Sequence, residues 1–207
     1  MNEPAQGETG RGRGGPDGNR HPRFAAAWPE PRAPYCLPGI DPGLQDDAFA
    51  YLIADLFRLQ QACQMLTLLP GDEDDGVADM ARALSLFFAR DWRCHQEDFD
   101  TRLGGLLRQR LLIGDCLEPL LDEIARQHED DRERYLPLFS DLLEVAESVQ
   151  VDTERFSERR DWFVEALTRQ MNVKRLCILP IARERLTAGD QQRLLRDMLS
   201  ARTTLSK

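Results

Sequence analysis

The stretch DDAFAYLIADLFRLQQACQMLTLL, residues 46–69, decides the fold. Phe49, Leu52, Ile53, Leu56, Leu59, Cys63, Leu66 and Leu69 recur at intervals of three and four, which puts them along one side of an α-helix. Pro70-Gly71 ends the pattern, because proline has no backbone N–H to continue a helical ladder. The acidic loop Asp72 to Asp75 follows.

The same period continues downstream. A second helix is predicted from Val77 to Leu103, with Met80, Leu84, Phe87, Phe88, Trp92, His95 and Phe99 on its apolar side. Gly104-Gly105 is expected to interrupt it. A third helix is predicted from Asp115 to Ser148, kinked near Pro137. Its apolar side carries Leu117, Leu121, Ile124, His128, Tyr135, Leu138 and Leu142. A fourth starts at Thr153 or Glu154 and runs to Ile178, where Pro180 is expected to break it. A terminal helix is predicted from Thr187 to Met198. No strand alternation appears, so the expected class is all-α. Four long amphipathic helices with short connections pack most simply as an antiparallel up-down bundle.

Residues 1–43 are rich in Gly, Pro and Arg and are expected to form a disordered tail, with Tyr35, Cys36, Leu37 and Ile40 docking at its end. The bundle is assigned to 44–202 and a flexible C-terminus to 203–207. Net charge is −9, which opposes general binding to a phosphate backbone, so no nucleic-acid partner is expected. No apolar run approaches the ~18 residues of a membrane span. Five cysteines, an odd count without a CxxC pair, fit a reducing compartment, and the cytoplasm is the expected location. No Ser-His-Asp set, phosphate loop or paired-acid signature presents itself, so the chain reads as a non-enzyme.

Four stretches together carry a resemblance. They are YLIADLFRLQQAC (51–63), RDWRCHQEDFDTRLGGLLRQR (90–110), EIARQHEDD (123–131) and RQMNVKRLCILPIARERLT (169–187). In this order and at these intervals, the chain from Asp46 to Arg202 resembles the bacterial hemerythrin-like, cation-binding domain. That resemblance implies a four-helix bundle whose first helix gives a His, the second a His and a Glu, the third a His, and the fourth a His and a Glu, around two irons.

Carried across residue by residue, the ligand pattern fails. Leu56 stands at the first His position. His95 is kept, but Phe99 replaces its Glu. His128 is kept. Gln170 takes the fourth-helix His position and Lys174 the Glu position; a slip of one would place Met171 and Arg175 there instead. The resemblance therefore implies a degenerate domain without an iron pair, acting as a binding or regulatory module toward an unknown protein partner. The tail and the acidic loop are candidate contact surfaces. The alternative is a metal-binding (iron or zinc), oxygen- or redox-sensing protein with a reduced site at His95 and His128.

The remaining polar residues leave two readings open. His95 and His128 are either a residual metal site or core histidines that hydrogen-bond each other, Gln170 or a water. On a regular helix Asp98 and Asp100 lie about 300° and about 500° round from His95, so Asp98 shares its edge and Asp100 does not. Lys174 either stands in for lost metal charge, held by neighbouring acceptors such as Gln170, or, the expectation adopted, snorkels its ammonium out to water.

Overall fold

The computed structural model describes residues 37, 39–44, 46–69, 75–147 and 149–204, all within the unit Pro31–Lys207. The predicted tail up to residue 36 and the acidic residues Asp72, Glu73 and Asp74 lie outside the described residues. A 3-10 turn at Pro42–Leu44 leads in, and Leu37 and Ile40 pack against the core. Helix α1 spans Ala48–Thr67. Asp47 caps it: its carboxylate accepts from the backbone N–H of Phe49 at 2.8 Å and of Ala50 at 3.1 Å, which satisfies two donors that have no partner inside the helix.

The second helix, α2 (75–108), is a composite. α-Helical pieces at Asp75–Phe87, Arg93–Glu97 and Gly104–Arg108 are joined by π-helical turns at Phe88–Trp92 and Asp98–Leu103. The expected break at Gly104-Gly105 does not occur. Gly104 is buried, and a Cβ there would lie 3.1 Å from the Phe99 carbonyl oxygen. The glycine lets the wide turn close on itself, and this requirement outweighs glycine's low helix propensity.

Helix α3 spans Leu117–Ala146 and runs without a break through Pro137. The fourth helix, α4 (153–185), is α-helical at Thr153–Val173, π-helical at Lys174–Ile178 and α-helical again at Leu179–Arg185. Pro180 therefore does not end it. The proline falls in the first turn after the π segment, where a missing N–H costs little because the hydrogen-bond ladder is already resetting. Helix α5 runs over Ala188–Thr204, beyond the predicted end at Met198 and into the C-terminal residues expected to be flexible.

The described residues are all-helical, with no strand among them. Each of α1 to α4 packs against two others of the set: α1 on α2 and α4, and α3 on α2 and α4. Helix α5 lies against α1 and the middle of α2. No helix among the described residues is long and apolar enough to cross a membrane.

Two layers of the interior differ in chemistry. One is aromatic. Trp92 meets Tyr135 with ring centroids 4.9 Å apart, Phe163 packs edge-on against Phe88 at 5.2 Å, and Phe88 stacks on Phe139 at 5.4 Å. The other layer begins one turn further along α2, at His95, and is polar.

Candidate functional site

Asp55 in α1, His95 in α2 and Lys174 in α4 meet in the interior, 2%, 1% and 1% exposed. His95 Nδ1 lies 2.9 Å from Asp55 Oδ2, and His95 Nε2 lies 3.2 Å from Lys174 Nζ. An ammonium can only donate, so Nε2 accepts from Lys174 and Nδ1–H donates to Asp55. The ring is neutral in this arrangement. Burial, reinforced by the Lys174 charge, pushes His95 down to about 4, with Asp55 opposing.

The expectation that Lys174 snorkels is overturned. Its stem is covered on all sides, and its ammonium also sits 4.7 Å from the centre of the Phe99 ring. The acceptor is His95 rather than Gln170. Burial pushes Lys174 down to about 8, while the carboxylates of Asp100, Asp55 and Asp98 hold its proton on. Those carboxylates are the physical reason the charge stays inside. Arg175, its neighbour in the slipped register, is exposed.

A second layer of charge surrounds the triad. Burial pushes the Asp55 carboxyl up, but the hydrogen bond from His95 and the charges of Arg202 and Arg58 more than offset this and leave it below its ordinary value. Arg202, from the last turn of α5, donates to Asp55 Oδ2 at 3.0 Å and also to Asp98 Oδ2. Asp98 accepts from Arg102 at 2.7 Å as well, yet burial still raises its carboxyl above the ordinary range. Arg58 bridges Asp55 at 3.4 Å and Asp91 at 2.9 Å.

His128 behaves differently from its expected partnerships. It is 7% exposed, and its Nδ1 lies 2.5 Å from Asp100 Oδ2. Asp100 was expected to face away from the His95 side. The π turn Asp98–Leu103 changes the helical phase and brings Asp100 within electrostatic reach of Lys174 and within hydrogen-bond reach of His128. His95 and His128 therefore do not bond each other or Gln170: each is paired with an aspartate. Gln170 donates to Asp131 and to the Tyr135 hydroxyl, both at 3.4 Å.

Leu56 is buried but lines the groove between α1 and α4 beside Met171; the α1 residue that meets His95 is its neighbour Asp55. Phe99 packs on the imidazole of His95, ring centroids 4.8 Å apart. The sequence reading missed Asp55 and Arg202. A signal for Asp55 was present, because Leu52, Asp55, Leu59, Ala62 and Leu66 share the spacing of a buried stripe. Nothing local marks Arg202.

The donor set does not fit an iron pair. Both ring nitrogens of His95 are taken. Lys174 puts a positive charge beside the nitrogen that would coordinate metal. His128 Nε2 and Gln170 Oε1 are buried without hydrogen-bond partners, but neither belongs to a carboxylate, so neither offers the anionic charge an iron pair needs. Among the described residues no group of three or more His, Cys, Asp and Glu is arranged to hold a metal ion. Cys63 and Cys94 are buried and unpaired, and burial pushes the Cys63 thiol up to about 12, which makes it a poor nucleophile. Compared with protein-family models, curated proteins and solved structures, the chain finds no match.

Proposed function

We propose that this chain is a hemerythrin-like four-helix bundle in which a side-chain cation replaces the metal pair, serving as a non-enzymatic binding or regulatory module. The observation that carries this reading is the 3.2 Å contact between Lys174 Nζ and His95 Nε2 in the buried interior. A metal-ligating histidine usually donates its second ring N–H to a carboxylate, which fixes the tautomer. Asp55 and His95 have that arrangement, and the ammonium of Lys174 faces the other ring nitrogen, the one a metal would need. In this reading the four helices α1 to α4 supply the bundle, Phe99, Gln170 and Lys174 occupy substituted ligand positions, and the α1 position at the site is taken by Asp55 rather than by Leu56. With neither ring nitrogen of His95 available, no general base is left there, which supports a non-enzymatic role. A cytoplasmic setting is in keeping with the free cysteines.

Metal analysis of the purified full chain tests this reading. The protein should be colourless, with iron well below one atom per chain. Lys174→Glu combined with Phe99→Glu turns the ammonium into a carboxylate and should raise divalent-metal uptake. Two irons per wild-type chain, lost when His95 and His128 are changed together, would overturn the proposal. A second reading, metal-dependent sensing, is favoured by the lone pair of His128 Nε2, which lacks a partner. A single metal lost on His128→Gln would establish it.

A further inference from the structure

A narrow groove of about 210 Å³ runs between α1 and α4. Its α1 wall is Ile53, Leu56, Gln60, Cys63 and Thr67, whose three- and four-residue spacing keeps them on one stripe. Val164, Thr168, Met171 and Arg175 form the α4 wall by the same spacing. The two helices are antiparallel. Asp55 and Lys174 share His95 at one end, and Arg160 donates to the Leu69 carbonyl at the other. Arg175 therefore stands at the Ile53 end of the groove and Val164 at the Thr67 end. The stripe from Ile53 to Thr67 is roughly 21 Å long at about 1.5 Å per residue. So small a volume along so long a channel suits an alkyl chain and is too narrow for a helix.

The chemistry of the lining narrows the ligand. Leu56, Cys63 and Met171 are buried and make an apolar floor. No carboxylate lines the groove, and its one charged residue is Arg175. Arg175 is exposed. Among the described residues its guanidinium pairs with no carboxylate; Nη2 donates to Asn172 Oδ1 at 3.4 Å. A chain of net charge −9 thus keeps an uncompensated guanidinium at one end of an apolar slot. A guanidinium fits a carboxylate with two parallel hydrogen bonds, and an alkyl tail gains by leaving water.

We propose that this groove binds the anion of a medium-chain fatty acid, its carboxylate on Arg175 and its chain laid along Leu56, Met171 and Cys63 toward Val164. None of the lining residues belongs to the Asp55–His95–Lys174 set, so metal content and groove binding are separate properties. The test is calorimetric titration of the full chain at neutral pH with decanoate below its micelle concentration. Hexanoate and decyltrimethylammonium serve as comparisons. Decanoate should bind saturably at one site, about ten-fold tighter than hexanoate, because the added methylenes leave water. It should also bind about ten-fold tighter than the cation of equal chain length. The negative net charge of the protein favours the cation in nonspecific uptake, so that order reports Arg175. Arg175→Gln, at an exposed position, should keep the wild-type helical circular dichroism and lose the preference for the anion. Thr168→Trp, also at an exposed position, should fill the slot and weaken decanoate about ten-fold. No saturable binding, tighter binding of the cation, or an unchanged decanoate affinity in Arg175→Gln would each overturn the proposal. A dimer in sedimentation that Thr168→Trp dissociates would give the groove to a second copy and overturn it as well.

Discussion

Trp92 and His95 are one turn apart on the same helix, yet they anchor two regions built on different physics. The aromatic layer of Phe88, Trp92, Tyr135, Phe139 and Phe163 holds together by area removed from water and by edge-to-face contacts. Those terms add up piece by piece and tolerate exchange. The layer of Asp55, His95, Lys174, Asp98 and Arg202 holds together by charge neutralisation in a dry interior. There each group is affordable only while its partners are present. The difference shows that one core contains a region that degrades gradually and a region that fails as a unit.

The most forceful way to break the comparison is Asp55→Ala. It removes the acceptor of His95, Arg202 and Arg58 at one stroke and leaves buried cations unpaired. The expected loss is about 3–5 kcal/mol in urea unfolding. A loss under about 1 kcal/mol would mean that the charges are not buried as a set. Leu56→Ala and Phe99→Ala should each cost ~2–5 kcal/mol, as buried apolar residues do. A shift below about 0.5 kcal/mol in both would place them at the surface.

Titration sharpens the contrast, because the aromatic layer has only the Tyr135 hydroxyl to titrate, and burial raises it far above neutral pH. His95 sits near 4 in the folded chain against 6.5 in the unfolded one. Between those values the unfolded chain binds more protons, so stability present above pH 6.5 is lost as pH falls toward 4, by about 3 kcal/mol at most. Asp98, whose carboxyl is raised, works in the opposite sense from its ordinary value upward, so the two effects overlap. The check is therefore the difference between wild type and His95→Gln, whose curve should be flatter from pH 6.5 to 4. Lys174 falls from 10.5 to about 8 on folding, so the cost of its charge is in force below pH 8 and is relieved as pH rises above it. Stability should climb from pH 8 to 10, and Lys174→Met should abolish that climb.

The smallest effect belongs to the aromatic layer. Phe139 is only partly buried, so Phe139→Leu should cost under about 1.5 kcal/mol by thermal melting. A larger loss would mean that this layer too depends on every member.

The same contrast explains what could be read from the sequence. The helices and their apolar stripes were legible because Leu and Phe at three- and four-residue spacing have one physical outcome. His95 and His128 were legible as interior residues for the same reason. The partners of the charged residues were not. Arg202 reaches Asp55 across 147 positions of chain, and no local pattern encodes that distance. Asp100 was assigned to the wrong side because its angle was counted on a regular α-helix. Lys174 was expected in water because a lone lysine on an amphipathic helix usually extends there, and the carboxylates that keep it inside come from other helices or from a turn of irregular pitch. Asp55 stood openly on the α1 stripe, one residue before Leu56.

The three π turns among the described residues, at Phe88–Trp92, Asp98–Leu103 and Lys174–Ile178, have a consequence for lineage. A helix that accepts one extra residue without breaking takes it up as such a turn, so each is the geometric trace an insertion would leave. Two of them bracket His95, and the third begins at Lys174. Against a chain that lacks one of these insertions, a gapless comparison would be one residue out of register downstream of that point, about 100° of helix, and would pair an inward residue with an outward one. Recognising distant kin of this chain therefore requires gaps inside its helices rather than only in its loops.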